Sequence, residues 1–391
     1  MEIKEVREKK EEKEFIKTGV LMNQSNPAYI RPLDHEIREI FDRSRNKNFK
    51  YGEAKRWILK DDQGKLIGRI AAFTHSKYLN KGTDYATGCI GFFDCIDHQP
   101  AANLLFDTAK KWLQGKGMEA MDGPVNFGDR DKWWGLMVEG FEKEPMYGMP
   151  FNPPYYEKLF EQYGFKNYYN QYYYMMQVDD PLPERFRERH QKFKNKPGYE
   201  ARHVDLKNLE KHAEEFATVY NAAWAQHGEA KEISREQVLK LFKKMKPIMD
   251  ERMIWFAYYR EEPIAMFINI PDLNQYFKYF KGRFGIVEKL RLLLMKKRGA
   301  CKKLTGLAFG VVPKYQALGI DSFMIMECGL LVQNKGWYET YEMGWAGDWN
   351  PKMLNIYKSL GGSQSRRMVT YRFIFEDSKY AFERHPVMEY K

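Results

Sequence analysis

Apolar residues along this chain recur with two different periods, and the two periods alternate. The stretch KRWILKDDQGKLIGRIAAFTH (residues 55–75) predicts two β-runs joined by a turn at Asp61-Asp62-Gln63-Gly64, and TGCIGFFDCID (residues 87–97) predicts a third strand. In AANLLFDTAKKWLQGKG the residues Leu104, Leu105, Ala109 and Trp112 then fall at helical spacing, with Gly115 or Gly117 as the stop. A short strand around EAMDGPV, a long irregular segment, the helix PPYYEKLFEQYGF and the strand NYYNQYYYMM complete this first series.

Asp179-Asp180-Pro181-Leu182-Pro183 interrupts both helix and ladder hydrogen bonding, so it marks a boundary. Beyond it the order recurs. Helical stretches at 206–224 and 234–246 precede RMIWFAYYREEPIAMFINI, a hairpin turning at Arg260-Glu261-Glu262-Pro263. The strand CKKLTGLAFGVV leads through a turn into the helix DSFMIMECGLLVQNKG, where Phe323, Met326, Leu330 and Leu331 are available to one face. The strand TYEMGW, the helix PKMLNIYKSLGG and the strand MVTYRFIF close the series. Near the end of each half, NPPYYEKLFEQYGF (152–165) parallels NPKMLNIYKSLGG (350–362). Asn suits an N-cap, Pro the first helical position and Gly the left-handed residue after a helix, so cap chemistry explains part of this match. The shared order of strand, helix, strand, capped helix and strand points further, to internal duplication. The expected division is a domain at 1–178, a linker at 179–199, a second domain at 200–377 with an insertion at 271–302, and a tail at 378–391.

A length of 391 residues is consistent with two cores, and 16% aromatic residues mark the 30% charged residues as the surface of a globular protein. The net charge of +11 favours anions without separating nucleic acid, phospholipid headgroups and phosphorylated small molecules. Cys89, Cys95, Cys301 and Cys328 form no CxxC pair, which fits a reducing cytoplasm better than a disulfide framework. MEIKEVREKKEEKEF has no apolar h-region, and no run approaches the roughly 18 apolar residues of a spanning helix, so neither export nor anchoring is expected. The eight histidines show no metal spacing, and there is no GxSxG elbow or Walker loop, so no metal is expected and hydrolase chemistries lack support.

The stretch GVVPKYQALGID (310–321) places a strand end, a proline turn and a helix start in succession. Free backbone N–H groups backed by a helix dipole suit an anion, although Asp321 brings a negative charge to the same place. Asp321 is alternatively a helix N-cap, and the whole turn alternatively binds nothing.

At this point the residues resemble the GNAT (GCN5-related N-acetyltransferase) superfamily, with two GNAT-type domains in tandem over roughly 30–178 and 200–375, an α/β fold with a mixed sheet. Val311, Pro313, Tyr315, Gln316 and Gly319 match the family's V-x-P-x-[YR]-[RQ]-x-x-G-x-[GA] signature, whereas Ala317 and Asp321 depart from it. The resemblance implies that the turn formed by Val311, Val312, Gln316, Ala317, Leu318, Gly319, Ile320 and Asp321 holds the pyrophosphate of acetyl-CoA or another acyl-CoA. It also implies that the following strand splays to admit the pantetheine arm, and that Tyr357 is the general acid on the thiolate leaving group. A phenol with a pKa near 10 is protonated at neutral pH, as that role requires. The alternative for Tyr357 is a core-facing aromatic of an amphipathic helix. In the N-terminal half the matching position is Phe160, and DHQPAANLL stands where the turn belongs. One active site is therefore expected, in the C-terminal half near the interdomain groove, with the N-terminal half as a degenerate scaffold.

Glu342, in ETYEMGW, is the candidate base for an amine nucleophile, with Asn350 as an orienting amide or simply an N-cap. The aromatic segment 123–156 is either a substrate pocket lined by Trp133, Trp134, Tyr147 and Met149 or a hydrophobic seam between the halves. The pattern FFDCID, GPVNF and NPPYYEKLFEQYGF resembles bacterial proteins of unassigned substrate grouped with the GNATs. Residues 278–303 hold ten Lys or Arg against one acid, Glu288, and include Leu290, Leu293, Leu294 and Met295. Such a basic amphipathic helix suits an anionic membrane surface, coenzyme A phosphates, tRNA or plain solvation. Three functions follow: acyl-CoA-dependent transfer to a small-molecule or peptide amine, a Fem-like aminoacyl-tRNA-dependent transfer, or noncatalytic binding on the same fold.

Overall fold

The computed structural model of this chain describes residues 1–78, 83–128, 132–224, 232–376 and 378–388. Parts of the aromatic segment (129–131), position 377 and the end of the expected tail (389–391) thus lie outside the described residues. The N-terminal half runs β1 (Glu2–Glu5), α1 (Lys9–Asn23), α2 (Asp34–Phe41), β2 (Gly52–Lys60), β3 (Leu66–His75), β4 (Thr87–Cys95), α3 (Gln99–Gln114), β5 (Ala120–Gly123), β6 (Leu136–Glu139), α4 (Tyr156–Tyr163) and β7 (Lys166–Gln177). The chain continues with α5 (Glu184–Lys194) and then the C-terminal half, β8 (Tyr199–His203), α6 (Leu209–Trp224), α7 (Arg235–Met245), β9 (Ile254–Tyr259), β10 (Glu262–Pro271), α8 (Asn274–Phe277) and α9 (Ile286–Lys297). The last elements are β11 (Lys303–Val311), α10 (Ile320–Val332), β12 (Thr340–Glu342), β13 (Ala346–Gly347), α11 (Pro351–Ser359) and β14 (Ser363–Ile374).

Local chemistry explains many of the boundaries. Asp61 Oδ1 accepts from the backbone N–H groups of Gln63 and Lys65, closing the β2–β3 turn. Ser234 and Gln237 form a capping box on α7. The two Asn-Pro motifs behave differently. Asn350 caps α11 through a bond from the Met353 N–H at 3.1 Å, whereas Asn152 pairs with the backbone of Met137 on β6 and α4 begins only at Tyr156. The second proline, Pro154, and the two tyrosines displace the helix start, so the sequence parallel is partial. The stretch expected as a linker carries α5, which buries Phe186, His190 and Phe193 and packs them against Phe323 of α10.

The strands form one continuous sheet in the order β1-β2-β3-β4-β5-β14-β7-β12-β11-β10-β9-β8, with β6 pairing β14 and β13 pairing β7 off this path. Successive side chains alternate between two cores: Ile70 and Ala72 of β3 face α3, whereas Ala71 and Phe73 belong with Phe15 and Ile16 of α1. In the other half, Trp255 and Ala257 pack with α10, and Ile254, Phe256 and Tyr258 with α6 and α7. Burial on both faces explains why IWFAYY and IAMFINI are nearly unbroken apolar runs.

The order around the centre is symmetric. β4 runs parallel to β5, β5 antiparallel to β14, β14 antiparallel to β7, β7 antiparallel to β12, and β12 parallel to β11. Each half thus places its last strand beyond that of the other, and β7 and β14 share the longest pairing, from Ser363↔Met175 to Arg372↔Lys166. Since β14 pairs with β5 and β6 as well, the halves have no independent edge at the seam. Urea unfolding followed by circular dichroism and by tryptophan fluorescence is expected to give one coincident transition; two resolved transitions would show that the halves fold separately.

A buried charge cluster locks this seam. Glu342 on β12 accepts from Arg366 Nε at 2.7 Å and Nη2 at 3.0 Å, from Ser365 Oγ at 2.9 Å, and from Lys303 Nζ at 2.5 Å. Arg366 reaches on to the carbonyls of Lys143 and Glu144. Burial by itself raises the pKa of the Glu342 carboxyl, but the Arg366 and Lys303 charges outweigh it and hold the group down at about 2. Because the folded-state pKa lies below the ordinary value of 4.5, this contribution to stability is present above that value and is lost as pH falls toward about 2. Glu342→Gln is expected to cost roughly 3–5 kcal/mol at neutral pH by leaving buried cations uncompensated. The gap in unfolding free energy between the two proteins should narrow as the medium is acidified below about pH 4.5, and a gap independent of pH would contradict the ion-pair account.

Candidate active site

β11 and β12 pair only at Lys303↔Thr340, Leu304↔Tyr341 and Thr305↔Glu342. Beyond these residues β12 stays with β7, where the Met343 N–H donates to Tyr174 O at 2.8 Å, while β11 follows β10 to Val311. The two strands fork, and from Gly306 to Val311 the open edge of β11 pairs with no described strand. Two glycines set the vertex. A Cβ on Gly344 would lie 3.0 Å from Gly306 O, and one on Gly306 would lie 2.8 Å from Tyr341 Oη, so side chains are excluded there.

Tyr357 of α11 is buried, and its Oη lies 3.9 Å from the position a Cβ of Gly344 would take, which sets the phenol at the fork. Its ring tilts against Tyr174 at 5.7 Å between centroids. Burial pushes the phenol pKa above its ordinary value, so the group is a proton donor throughout the neutral range.

At the far end of β11, Pro313–Tyr315 form a 3₁₀ turn, and Ala317 (φ 60°) and Gly319 (φ 96°) follow in the left-handed region before α10 begins at Ile320. Gln316 folds back, donating through Nε2 to Val311 O at 3.0 Å. Gln316, Ala317 and Leu318 are exposed, as a surface cradle requires. Gly319, without any side-chain cap, precedes α10 as its N-cap, so the alternative of Asp321 as that cap is not what the structure shows. Helix α5 contributes an unexpected cation. The Arg189 stem packs 3.1–3.3 Å from where a Gly319 Cβ would be, and its Nη1 donates to Ser322 Oγ at 3.2 Å. Arg189 thus brings a cation from α5 to the first turn of α10.

The N-terminal counterpart of this edge is closed by its own residues. After Thr87↔Ala120, Gly88↔Met121 and Cys89↔Asp122, the Val125 N–H donates to Ile90 O at 2.8 Å. Further on, Tyr155 Oη donates to Cys95 O at 2.7 Å and the Cys95 N–H donates to Tyr156 Oη at 2.9 Å. Phe160 is fully buried among Phe93, Phe106 and Phe165.

This half instead contains a cavity of about 80 Å³ between α1, the segment 29–37 and the end of β4. Arg69 Nε donates to Asp94 Oδ2 at 2.7 Å, Asn23 Nδ2 donates to Asp94 Oδ1 at 2.9 Å, and Tyr156 Oη donates to the same Oδ1 at 3.1 Å. Gly19 makes room, because a Cβ there would sit 2.1 Å from Arg69 Nη2. Phe92 (φ 48°) and Trp133 (φ 46°), both lining the cavity, occupy the left-handed region that larger residues seldom adopt.

The four residues proposed for a substrate pocket therefore divide. Trp133 and Met149 line this cavity. Trp134 is buried elsewhere, with Nε1 donating to Tyr169 Oη at 2.8 Å. Tyr147 lies in the seam, its N–H donating to Asp272 Oδ1 at 2.9 Å and its hydroxyl held by Glu36 and Lys132. Glu342, expected as a base, has both oxygens engaged by cations and a pKa near 2, so it is a poor proton acceptor at neutral pH. Asn350 takes its N-cap alternative. Arg189, Arg69, Asp94 and Asn23 belong to no functional motif of the sequence. Arg69 in LIGRIAAF and Asp94 in GFFDC were readable as charges inside otherwise apolar strand runs, which is the usual mark of a buried pair.

No protein-family model matches this chain. It is 24% identical over 363 residues to the bacterial ceramide synthase of Caulobacter vibrioides, covering 92% of this chain and 93% of that one. It is 23% identical over 373 residues to protein YghO of Escherichia coli, covering 92% of each. Among solved structures, a tandem GNAT protein from the clavulanic acid biosynthesis pathway superposes with a TM-score of 0.55 at 10% identity, over 96% of this chain and 99% of that one. The GCN5-related glucosamine N-acetyltransferase region of a fungal multidomain β-N-acetylglucosaminidase gives 0.55 at 12% identity, covering 95% of this chain and 38% of that longer one. The symmetric strand order and these superpositions together make the fold that of a tandem GNAT protein, a mixed α/β sheet with a fork in the C-terminal half.

Proposed function

We propose that this chain is an acyl-CoA-dependent N-acyltransferase whose donor lies along the open edge of β11. The observation that carries this reading is the conjunction of the unpaired strand edge from Gly306 to Val311 with the protonated Tyr357 phenol at its vertex. A bound acyl-CoA supplies the acyl group as a thioester. The residues present fit such a donor: free β11 backbone groups suit an amide-containing arm laid alongside as an added strand. The exposed turn at 316–318 and the start of α10, with Arg189 beside it, suit a pyrophosphate.

Within this scheme Gly306 and Gly344 let β11 and β12 approach closely at the vertex, and the thioester carbon lies at the fork beside Tyr357. The neutral amine nitrogen attacks that carbon, the C–S bond breaks, Tyr357 gives its proton to the departing sulfur, and the proton shed by the acylated nitrogen restores the phenol. Glu342 acts by position: paired with Lys303 of β11 and with Arg366 of β14 across β7, it fixes β12 and thereby one arm of the fork. The acceptor is an amine. The Caulobacter relative is named for ceramide synthesis, which supports a long-chain amine as the first acceptor to assay.

Titration calorimetry with acetyl-CoA and longer acyl-CoAs is expected to show binding, and no heat at millimolar ligand would overturn the proposal. Tyr357→Phe should lower kcat about 100-fold or more while leaving donor affinity near that of the parent protein. Equal turnover would remove Tyr357 from the chemistry. Asp321→Asn should tighten donor binding by roughly fivefold by removing a carboxylate next to the anion, a difference of about 1 kcal/mol. Unchanged affinity would place that carboxylate away from the phosphates.

A further inference from the structure

Helix α9 is built inside out. At helical spacing, Ile286, Val287, Leu290, Leu293 and Leu294 share one face, and all five are between 53% and 78% exposed. Only Leu292 is buried, joining Leu273, Phe277 and Phe280 with Met295 at the margin. Lys296 anchors the same inner side, its Nζ donating to the carbonyls of Pro247 at 2.8 Å and Met249 at 3.0 Å. The outward apolar face is bordered by exposed cations: Lys289 on one flank, Arg291 on the other, and Lys297 at its C-terminal end. Lys281, Arg283 and Arg298 extend the basic border on the adjoining turns, where Tyr279 is also exposed. Glu288, the single acid of this stretch, is spent on the N-cap, accepting from the Gly285 N–H at 2.8 Å.

We infer that α9 docks this protein on an anionic lipid bilayer, with the five aliphatic side chains entering the acyl boundary and the flanking cations meeting lipid phosphates. Five contiguous solvent-facing aliphatics favour hydrocarbon, and the cationic border selects a negatively charged surface. A second copy of the chain fits poorly, because a symmetric contact would oppose one basic border to another. Nucleic acid fits poorly as well, since aliphatic side chains offer no stacking surface to bases. No described helix is long and apolar enough to cross a membrane, so attachment is peripheral. The connection before α9 rests on the segment that lines the N-terminal cavity, with the Asp34 N–H donating to Gly282 O at 2.9 Å. The docking face and that cavity are thus tied together.

This inference stands apart from the acyltransferase reading, because vesicle binding without any acyl donor reports on the surface alone. The full chain should co-sediment with phosphatidylcholine vesicles containing about a third phosphatidylglycerol, and much less with phosphatidylcholine alone. Leu290→Glu with Leu294→Glu should weaken partitioning at least about tenfold while leaving the circular dichroism spectrum and Tm unchanged, since both positions face solvent. Lys289→Ser with Arg291→Ser should weaken binding and flatten its salt dependence. Leu290→Trp should show a blue-shifted emission on adding anionic vesicles. Failure to bind anionic vesicles, binding unaffected by the Leu290 and Leu294 substitutions, or dimerisation that those substitutions abolish would each overturn the inference.

Discussion

The pairing of β7 with β14 is the constraint on which the rest of this structure depends. Neither half completes its own sheet, because each sends its last strand across the centre to lie beside the other's fifth strand. The fork follows directly. β12 and β13 hold to β7 through Thr340↔Gln177 and Ala346↔Tyr172, while β11 holds to β10, so sheet twist carries the two apart after Glu342. An opening that looks like a local feature of the C-terminal half is therefore maintained by a strand from the N-terminal half. The buried Glu342–Arg366 pair sits where these strands meet, and its partners include backbone carbonyls of residues 143 and 144. One salt-bridge cluster fixes β11, β12, β14 and the long aromatic segment at a single point.

Symmetry of backbone has not produced symmetry of chemistry. In the C-terminal half, glycines let the two strands meet closely at the vertex, the β11 edge beyond it pairs with no described strand, and the Tyr357 phenol stands beside it. In the N-terminal half, the two phenols of NPPYY satisfy both polar groups of Cys95, removing the free edge that a second donor site needs. Helix α3 begins after His98 with Pro100 in its first turn, so one of the free backbone N–H donors that an anion would use is missing there. The same duplication thus supplies one open edge and one closed core, and the N-terminal half retains its polar interior as the Arg69–Asp94 pair with Asn23 and Tyr156.

Periodicity made the order of elements legible. The short apolar run in KRWILK, the 3.6 spacing in AANLLFDTAKKW and the proline-glycine punctuation each report a local preference that the tertiary structure keeps. Strand exchange was not legible, since pairing partners are chosen by contacts nearly two hundred residues apart, as in Ser363 with Met175. Helix α1 was missed because MEIKEVREKKEEKEF is read first for its charges, although Phe15 and Ile16 anchor it. Glu342 was singled out from its strand position, and its role changed once Arg366 and Lys303 arrived from other strands. Arg189 lay hidden in a segment whose prolines suggest a linker. Tyr357 was singled out through the resemblance, because spacing alone reads it as a core-facing aromatic of an amphipathic helix, and its burial is common to both readings.

Charge is treated differently inside and outside the molecule, and the difference explains the basic balance. The buried cations Arg69, Arg366 and Arg372 each meet a carboxylate, at 2.7 Å in every case. Each of these three interior cations is therefore neutralised in place. The ten Lys or Arg set against one acid in residues 278–303 stand beside a net charge of +11 for the whole chain, so most of the excess belongs to the α8–α9 region. A preference for anions read from overall composition is thus a property of one face. That face also carries the largest cluster of exposed aliphatic residues, and a purely electrostatic partner leaves those residues without purpose. A surface that joins cations to hydrocarbon matches a partner with both anionic groups and hydrocarbon, which is the chemistry of a lipid leaflet.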